Sequence, residues 1–465
     1  MKYYQYDTND SPDKIPYDKE PILRQSSYKK QKSSPVASNR VLTLVVCFLV
    51  VMNVVLGGLF ISVLGKNSDE QINNTTVNIT APAGEGVDVS AVTSKAKLSV
   101  VCVHAGVSPL VSTDEGNDNS VSTEITYKAF YETAKSQGAG VIFKEDKQNS
   151  KAYIVTCYHV VKGFSTNVYV LLYDSFKPIK AKVVHYSVVY DIAVLEISPE
   201  TDEKNAGEFK VSVASACEVA DSSYLLEGEG AIAIGNPLGS GISATRGIIS
   251  KTTEIVKIDG IDQRLLRTDA AINAGNSGGG LFNLKGELIG VINAKKTDNP
   301  STDSYIDNVA YAIPSNLAIS LANNILRSSG NIPTKAVLGI DLLVQNTGLT
   351  FDVVNGIYIA KQKVIVSLVN PNSAAAKAGL RQNDQIVSFS YGSTVVNVIN
   401  TYSIDDHSFN FNRGDKVQFT IIRTTTEPGL DSSGGGLSLN NKSEEIVITV
   451  VIDELVSADK QQWYS

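Results

Sequence analysis

Four cysteines and four histidines are all that this chain of 465 residues contains, and their scarcity removes several kinds of chemistry at once. Cys47, Cys102, Cys157 and Cys217 form no C-x-x-C pair and show no metal-binding spacing to histidine, so no metal site is expected and no cofactor is called for. With 43% hydrophobic residues the chain can bury two or three cores and needs no disulfide framework. A Cys102–Cys157 bridge would require an oxidising compartment, and free thiols are the expected state. No basic stripe interleaved with aromatics accompanies the net charge of −7, which argues against a nucleic-acid partner. The glycines near position 275 lack the lysine and serine or threonine that a phosphate-cradling loop needs.

Long apolar runs are also scarce, and one stands out. From Val41 to Gly65 no residue is charged. At about 1.5 Å per residue a helix of this length would measure roughly 37 Å, enough to cross a bilayer with tilt. Arg24, Lys29, Lys30, Lys32 and Arg40 precede the run with no acid among them, and Asp69 and Glu70 follow it. This asymmetry predicts a single-pass anchor in the cell membrane, with residues 1–40 as a disordered cytoplasmic tail, 41–65 as the transmembrane helix and the remainder outside. A cleaved signal peptide fits less well, because residues 1–40 make too long a leader. Residues 66–94 read as a linker.

Beyond the linker the pattern changes to short apolar runs punctuated by Gly, Asn, Asp and Pro, at 97–103, 139–144, 153–157, 167–172, 181–185, 192–197, 229–234, 246–250, 288–294 and 309–313. Many short strands between turns predict a mostly β barrel or sandwich. A polar insertion at 107–136 interrupts it, and a helix beginning at Pro314-Ser315 and stopping before Gly330 closes it. A second block, 336–455, holds further strands, a helix over 373–379, and a pair of strands at 416–423 and 444–453 joined by a Ser/Gly/Thr-rich hairpin. Residues 456–465 read as a C-terminal tail.

The chemistry concentrates in Asn-Ala-Gly-Asn-Ser-Gly-Gly-Gly-Leu (273–281), where small residues let the backbone turn sharply around Ser277. A serine hydroxyl is a weak nucleophile unless a base takes its proton and a third group orients that base. His159, in Tyr-Ile-Val-Thr-Cys-Tyr-His-Val-Val (153–161), and Asp191, in Tyr-Asp-Ile-Ala-Val-Leu-Glu-Ile (190–197), each adjoin a strand-like run and are the candidates. The N–H groups of Gly275 and Ser277, with Asn276 between them, are candidate oxyanion donors, worth on the order of 3 kcal/mol each in such sites. His104, His185 and His407 fall in no such motif and read as surface or packing residues.

Taken in order, Gly-Ala-Gly-Val-Ile-Phe (138–143), the His159 and Asp191 strands, Ile-Gly-Asn-Pro-Leu-Gly (234–239), Thr-Arg-Gly-Ile-Ile-Ser (245–250), Arg-Thr-Asp-Ala-Ala-Ile-Asn-Ala-Gly-Asn-Ser-Gly-Gly (267–279) and Tyr-Ala-Ile-Pro-Ser (311–315) resemble the HtrA-type serine proteases. These are chymotrypsin-fold enzymes joined to C-terminal PDZ domains and often membrane-anchored in bacteria. The resemblance covers roughly 95–455. It implies a double β-barrel protease domain at 95–328 and a smaller PDZ-like α+β domain at 336–455. His159, Asp191 and Ser277 would form the triad. Two positions depart from the family pattern: Tyr158 stands where a polar residue is usual, and Gly280, where proline is usual, is expected to loosen the segment after Ser277.

By the same resemblance Ile272, Asn293, Ala294 and Lys295 would wall the primary pocket. With no acid at its floor, cleavage is expected after small or medium aliphatic residues. Val337-Leu338-Gly339-Ile340 matches the loop that opens a PDZ peptide groove, and Asn370–Leu380, Asn383–Ile386 and Arg413–Val417 match later landmarks. The helix expected near 403–411 carries Asp405, Asp406, His407 and Asn410, and this shortage of aliphatics predicts weak or altered peptide affinity. The implied function is ATP-independent protein quality control under stress, acting on misfolded polypeptides, sensing peptide C-termini, and working as a homo-oligomer, by resemblance a trimer. The competing reading is a catalytically silent, chaperone-like or adaptor scaffold.

Overall fold

The short apolar runs become strands of two closed β-barrels in the computed structural model of the chain, which describes residues 88–109, 125–173, 175–198, 215–293, 308–328, 331–352, 357–430 and 437–459. The first barrel holds β1 (Val100–Ala105), β2 (Ser136–Asp146), β3 (Lys151–Cys157), β4 (Val168–Leu172), β5 (Ile179–Ser187) and β6 (Ile192–Ile197), in the order β1-β2-β3-β6-β5-β4. The second holds β7 (Gly230–Gly235), β8 (Ser243–Ile258), β9 (Ile261–Thr268), β10 (Gly280–Asn283), β11 (Leu288–Asn293) and β12 (Ala310–Pro314), in the order β10-β11-β12-β9-β8-β7. Both are antiparallel throughout and close on themselves, β4 onto β1 and β7 onto β10, which leaves no strand edge unpaired. The mostly β, chymotrypsin-like double barrel expected from the sequence is therefore the fold of this region.

Val100, Val103, Val141, Ile154, Val155, Ile192, Val194 and Leu195 fill the first barrel with no exposed surface. Each such side chain removed from water contributes about 1.5–3 kcal/mol before entropy is counted. Leu225, Ala231, Leu266, Leu281, Ile289 and Ile292 form a separate cluster in the second.

Helix α1 (Val89–Lys97) precedes the first strand, its N-terminus capped by Asp88, which accepts from the N–H groups of Ser90 and Ala91. Val89, Val92 and Ala96 rest on the barrel core. This corrects two expectations: 89–94 is helix rather than linker, and the strand placed at 97 begins at Val100. Within the predicted insertion lies α2 (Tyr127–Glu132); residues 110–124 of it fall outside the described residues. Single-turn α3 (Tyr158–Val161) follows β3. Helix α4 (Ser315–Arg327) presents Leu317, Ala318, Leu321, Ala322 and Ile325 to the core at helical spacing, and its predicted stop, Gly330, is outside the described residues.

The C-terminal block opens with β13 (Thr334–Ala336), β14 (Ile340–Asp352), β15 (Ile357–Val369), α5 (Ala374–Ala378), β16 (Gln385–Tyr391) and β17 (Thr394–Asn397). It continues with α6 (Ser403–His407), a short 3₁₀ turn at Ser408–Asn410, β18 (Lys416–Leu430), β19 (Leu437–Val451) and β20 (Leu455–Ser457). Its sheet runs β14-β15-β16-β18-β19, with β17 added on β16. Val366, Ile386, Phe389, Phe411, Phe419, Ile421 and Val450 make its own core. The start of the predicted tail is corrected as well. Leu455–Ser457 pairs with β13, and Ala458 is buried in the core formed by the barrel residues.

The apolar run 41–65, the tail 1–40 and most of the predicted linker lie outside the described residues; among the described residues no helix is long and apolar enough to cross a membrane. The described residues, all within 79–465, form one compact unit.

Candidate active site

Strand β3 delivers the candidate base. Its last residue, Cys157, keeps extended backbone, and the chain then coils for the single turn α3, with Val160 and Val161 buried in the first-barrel core. His159 thereby projects from a pinned turn with 22% of its side chain exposed. Asp191 comes from the neighbouring strand connection. It ends a turn closed by its own N–H on the Val188 carbonyl (3.3 Å), and sits at φ 51°, in the left-handed region, immediately before β6. Its carbonyl accepts from Tyr158 N–H at 3.0 Å.

The fully buried Asp191 carboxylate holds His159 twice. Oδ1 accepts the main-chain N–H of His159 at 2.9 Å, and Oδ2 lies 2.7 Å from Nδ1. An ionised carboxylate can only accept, so Nδ1 carries the hydrogen and, in the neutral ring, Nε2 keeps its lone pair. That is the tautomer a general base needs. Cys157 Sγ lies within 4.8 Å of ligand atoms of both residues, a set that could in principle surround a metal ion. The groups are otherwise engaged: the Cys157 thiol donates to the Ile292 carbonyl at 3.2 Å, and the ring nitrogen nearest Asp191 is held by that acid.

Ser277 lies in a loop stitched to both barrels. Its carbonyl accepts from Ala139 N–H of the first barrel at 2.8 Å, while Gly278 N–H donates to Ile292 O of the second at 2.8 Å. Two tight turns, closed by Asn276 N–H on Asn273 O (3.0 Å) and Gly279 N–H on Asn276 O (2.9 Å), flank the serine. Gly278 has no room for a side chain: a Cβ at its φ of +83° would lie 2.2 Å from both Ala139 O and Thr156 Oγ1. Gly138 separates the two halves of the site. A Cβ there would meet the Val160 methyls at 2.7 Å and the Ser277 carbonyl at 2.9 Å, so the serine loop and the histidine turn face each other across a single glycine.

Gly275, at φ 97°, and Ser277 make no main-chain N–H hydrogen bond among the described residues, whereas the N–H of Asn276 is spent within the loop. Two main-chain donors beside the serine are thus uncommitted. The Asn276 side chain points the other way, packed against Gly235, with its Oδ1 buried and unpaired among the described residues.

A trypsin-like peptidase domain model matches residues 138–291. The serine protease Do-like HtrA of Lactococcus lactis subsp. cremoris (strain MG1363) is 32% identical over 404 residues, spanning 81% of this chain and 89% of that protein. This chain belongs to the HtrA family of serine proteases. The Do-like HtrA of Lactobacillus helveticus is 33% identical over 345 residues, 72% of this chain and 76% of that protein. The periplasmic serine endoprotease DegP of Escherichia coli (strain K12) is 36% identical over 252 residues, 54% of this chain and 48% of DegP. The HtrA-type chain is accordingly a serine-type endopeptidase.

The other predicted site residues of this HtrA protease separate. Ile272 is half-buried and packs on the second-barrel core. Asn293 is buried and donates from Nδ2 to Gln263 Oε1 at 3.2 Å, and Ala294 and Lys295 lie outside the described residues. Val337, Leu338, Gly339 and Ile340 line a different cavity, of about 710 Å³, against β9 of the second barrel. Sequence reasoning passed over Gly138 and Thr156 as individual residues, although both stand within segments it singled out. Their role is to let two loops approach, which only a structure displays.

Proposed function

We propose that Ser277 is the nucleophile of this HtrA-type endopeptidase, His159 its general base and Asp191 the acid that holds the imidazole in the productive tautomer. In this mechanism Ser277 Oγ attacks the scissile carbonyl as His159 Nε2 takes its proton, and the imidazolium so formed is stabilised by Asp191. Negative charge on the carbonyl oxygen is received by the N–H groups of Gly275 and Ser277. The proton on His159 then passes to the leaving amine, and water repeats the cycle on the acyl-enzyme. The observation that carries the reading is the double grip of Asp191 on His159 opposite a glycine-flanked serine loop.

The test is Ser277→Ala measured on casein and on a fluorophosphonate probe, which reacts only with an activated hydroxyl. Both signals should vanish, a loss on the order of 10⁴- to 10⁶-fold in turnover. Wild-type casein cleavage by the variant would remove Ser277 from the mechanism.

In the same reading residues 41–65 tether the protease to the cell membrane, with the catalytic unit outside acting on misfolded polypeptides. The 336–455 block acts as a PDZ-like sensor of peptide C-termini, and the enzyme assembles as a trimer, as the family resemblance suggests. The groove reading is supported by β14, which among the described residues pairs only with β15 and so keeps an edge for an added strand. Beside that edge, the N–H groups of Leu338 and Gly339 make no hydrogen bond among the described residues and could hold a chain-end carboxylate. Cleavage after small or medium aliphatic residues belongs to this proposal too.

A further inference from the structure

The C-terminal segment after β20 does not leave the molecule. Ala458 is buried with its N–H on the Pro333 carbonyl at 2.8 Å, and this directs Asp459 to the end of β5. There one oxygen of Asp459, Oδ1, accepts two hydrogen bonds, from Ser187 Oγ at 2.8 Å and from Val188 N–H at 3.0 Å. Both partners belong to the turn that carries Asp191. Val188 supplies the carbonyl on which the Asp191 N–H closes, and Ser187, fully buried, pairs in the β5–β6 ladder with Ile192, the residue after Asp191. The Ser187 hydroxyl has a single hydrogen. By taking it, Asp459 leaves the oxygen lone pairs to receive Tyr190 N–H, 3.4 Å away.

Asp191 needs such support. A non-glycine residue in the left-handed region is held there by its surroundings rather than by its own preference. On one side the turn is fixed by the His159 contacts, which the chemistry itself uses. On the other side it is fixed by a carboxylate 268 residues further along the chain, from beyond the C-terminal sheet. We propose that Asp459 is a positioning residue for catalysis, clamping the Ser187–Asp191 turn so that Asp191 can orient His159. The inference rests on the assignment of Asp191 as the triad acid.

The experiment compares Asp459→Ala, Asp459→Asn and Ser187→Ala in the full-length enzyme, with His159→Ala as the control for the triad itself. Asn keeps an Oδ1 that can accept both hydrogen bonds; Ala keeps none; Ser187→Ala removes one of the two. Displacements of an ångström in a catalytic group cost up to about a hundredfold, so Asp459→Ala should lower kcat about tenfold or more with KM for a peptide substrate unchanged, and slow fluorophosphonate labelling to match. Asp459→Asn should stay near wild type, with Ser187→Ala in between. Wild-type kcat in folded Asp459→Ala, or equal loss in the Ala and Asn variants, would overturn the proposal. If Asp459→Ala does not fold, Ser187→Ala decides it, wild-type kcat there counting against. Full activity in His159→Ala would instead strike at the triad assignment.

Discussion

His104 illustrates how much one side chain can be committed. It is fully buried in β1, stacked on Phe130 with ring centroids 3.8 Å apart, and meets the edge of Tyr131. Its Nδ1 lies 2.7 Å from the Phe130 carbonyl and therefore carries the hydrogen, which leaves Nε2 to accept from Asn236 Nδ2 at 3.3 Å. Asn236 in turn receives Gly241 N–H at 2.9 Å and neighbours Gly235, which packs on Asn276 of the serine loop. Burial pushes the His104 pKa below the ordinary 6.5, partly opposed by the Phe130 carbonyl. The unfolded chain thus takes up this proton at a higher pH than the folded one does. The associated stability is fully present above the ordinary value and is lost as pH falls through the folded value. In His104→Gln, urea unfolding should show lower stability at neutral pH but a shallower decline between about pH 7 and 5 than wild type. An unchanged slope would mean that His104 is not among the groups that set acid sensitivity. The sequence offered only an unassigned histidine, because its partners lie 26 and 132 positions away.

At the scale of elements, strands that are apolar over most of their length were legible. β3, β6, β7 and β11 fall within a residue or two of their predicted limits, since barrel strands buried on both faces leave unbroken runs of Val, Ile and Ala. Two barrel strands were not. β9, Ile-Asp-Gln-Arg-Leu-Leu-Arg-Thr, places polar side chains on contacts made elsewhere in the fold, Gln263 with Asn293 and Arg264 with Asp406. β10 is short, opens on Gly280 and merges with the serine loop. Gly280 also reverses an expectation. It is not a point of looseness but a buried ladder residue, paired with Ile234 and Val291, and a Cβ there would lie 2.3 Å from the buried Phe282 ring. Glycine makes the space that Phe282 fills. Gly280→Ala should destabilise the protease by about 1–3 kcal/mol in urea, and adding Phe282→Leu should recover part of the loss. If the alanine variant matched wild type, the ring would have to be movable and the packing account would fail.

For the whole molecule, the decisive contacts join the barrels to the C-terminal block, and these were the least visible in the sequence. In the sequence the acids near 403–411 mark a shortage of aliphatics, with weak or altered peptide affinity expected. In the fold Asp406 is buried in an ion pair with Arg264 of β9, 142 residues distant in the chain, and Asp405 pairs with Lys335. Arg264 also stacks over Tyr402 at 4.5 Å. The Phe409 carbonyl accepts from Asn324 at 2.7 Å and Arg327 at 2.6 Å, both on α4, while its ring sits in the protease core against Tyr190. Two charges taken out of water pay heavily in desolvation, and their attraction roughly offsets it, so the Arg264–Asp406 pair adds little net stability but is costly to break. Arg264→Met alone strands a buried carboxylate and should cost about 3–5 kcal/mol, as should Asp406→Leu by stranding the guanidinium. The double variant strands neither charge. Its loss should be far smaller than the sum, and calorimetry should show the barrels and the C-terminal block melting together again, where each single variant melts in two steps. Additive losses in the double variant would mean that the two residues support the fold through separate contacts, and that this ion pair does not couple the two halves.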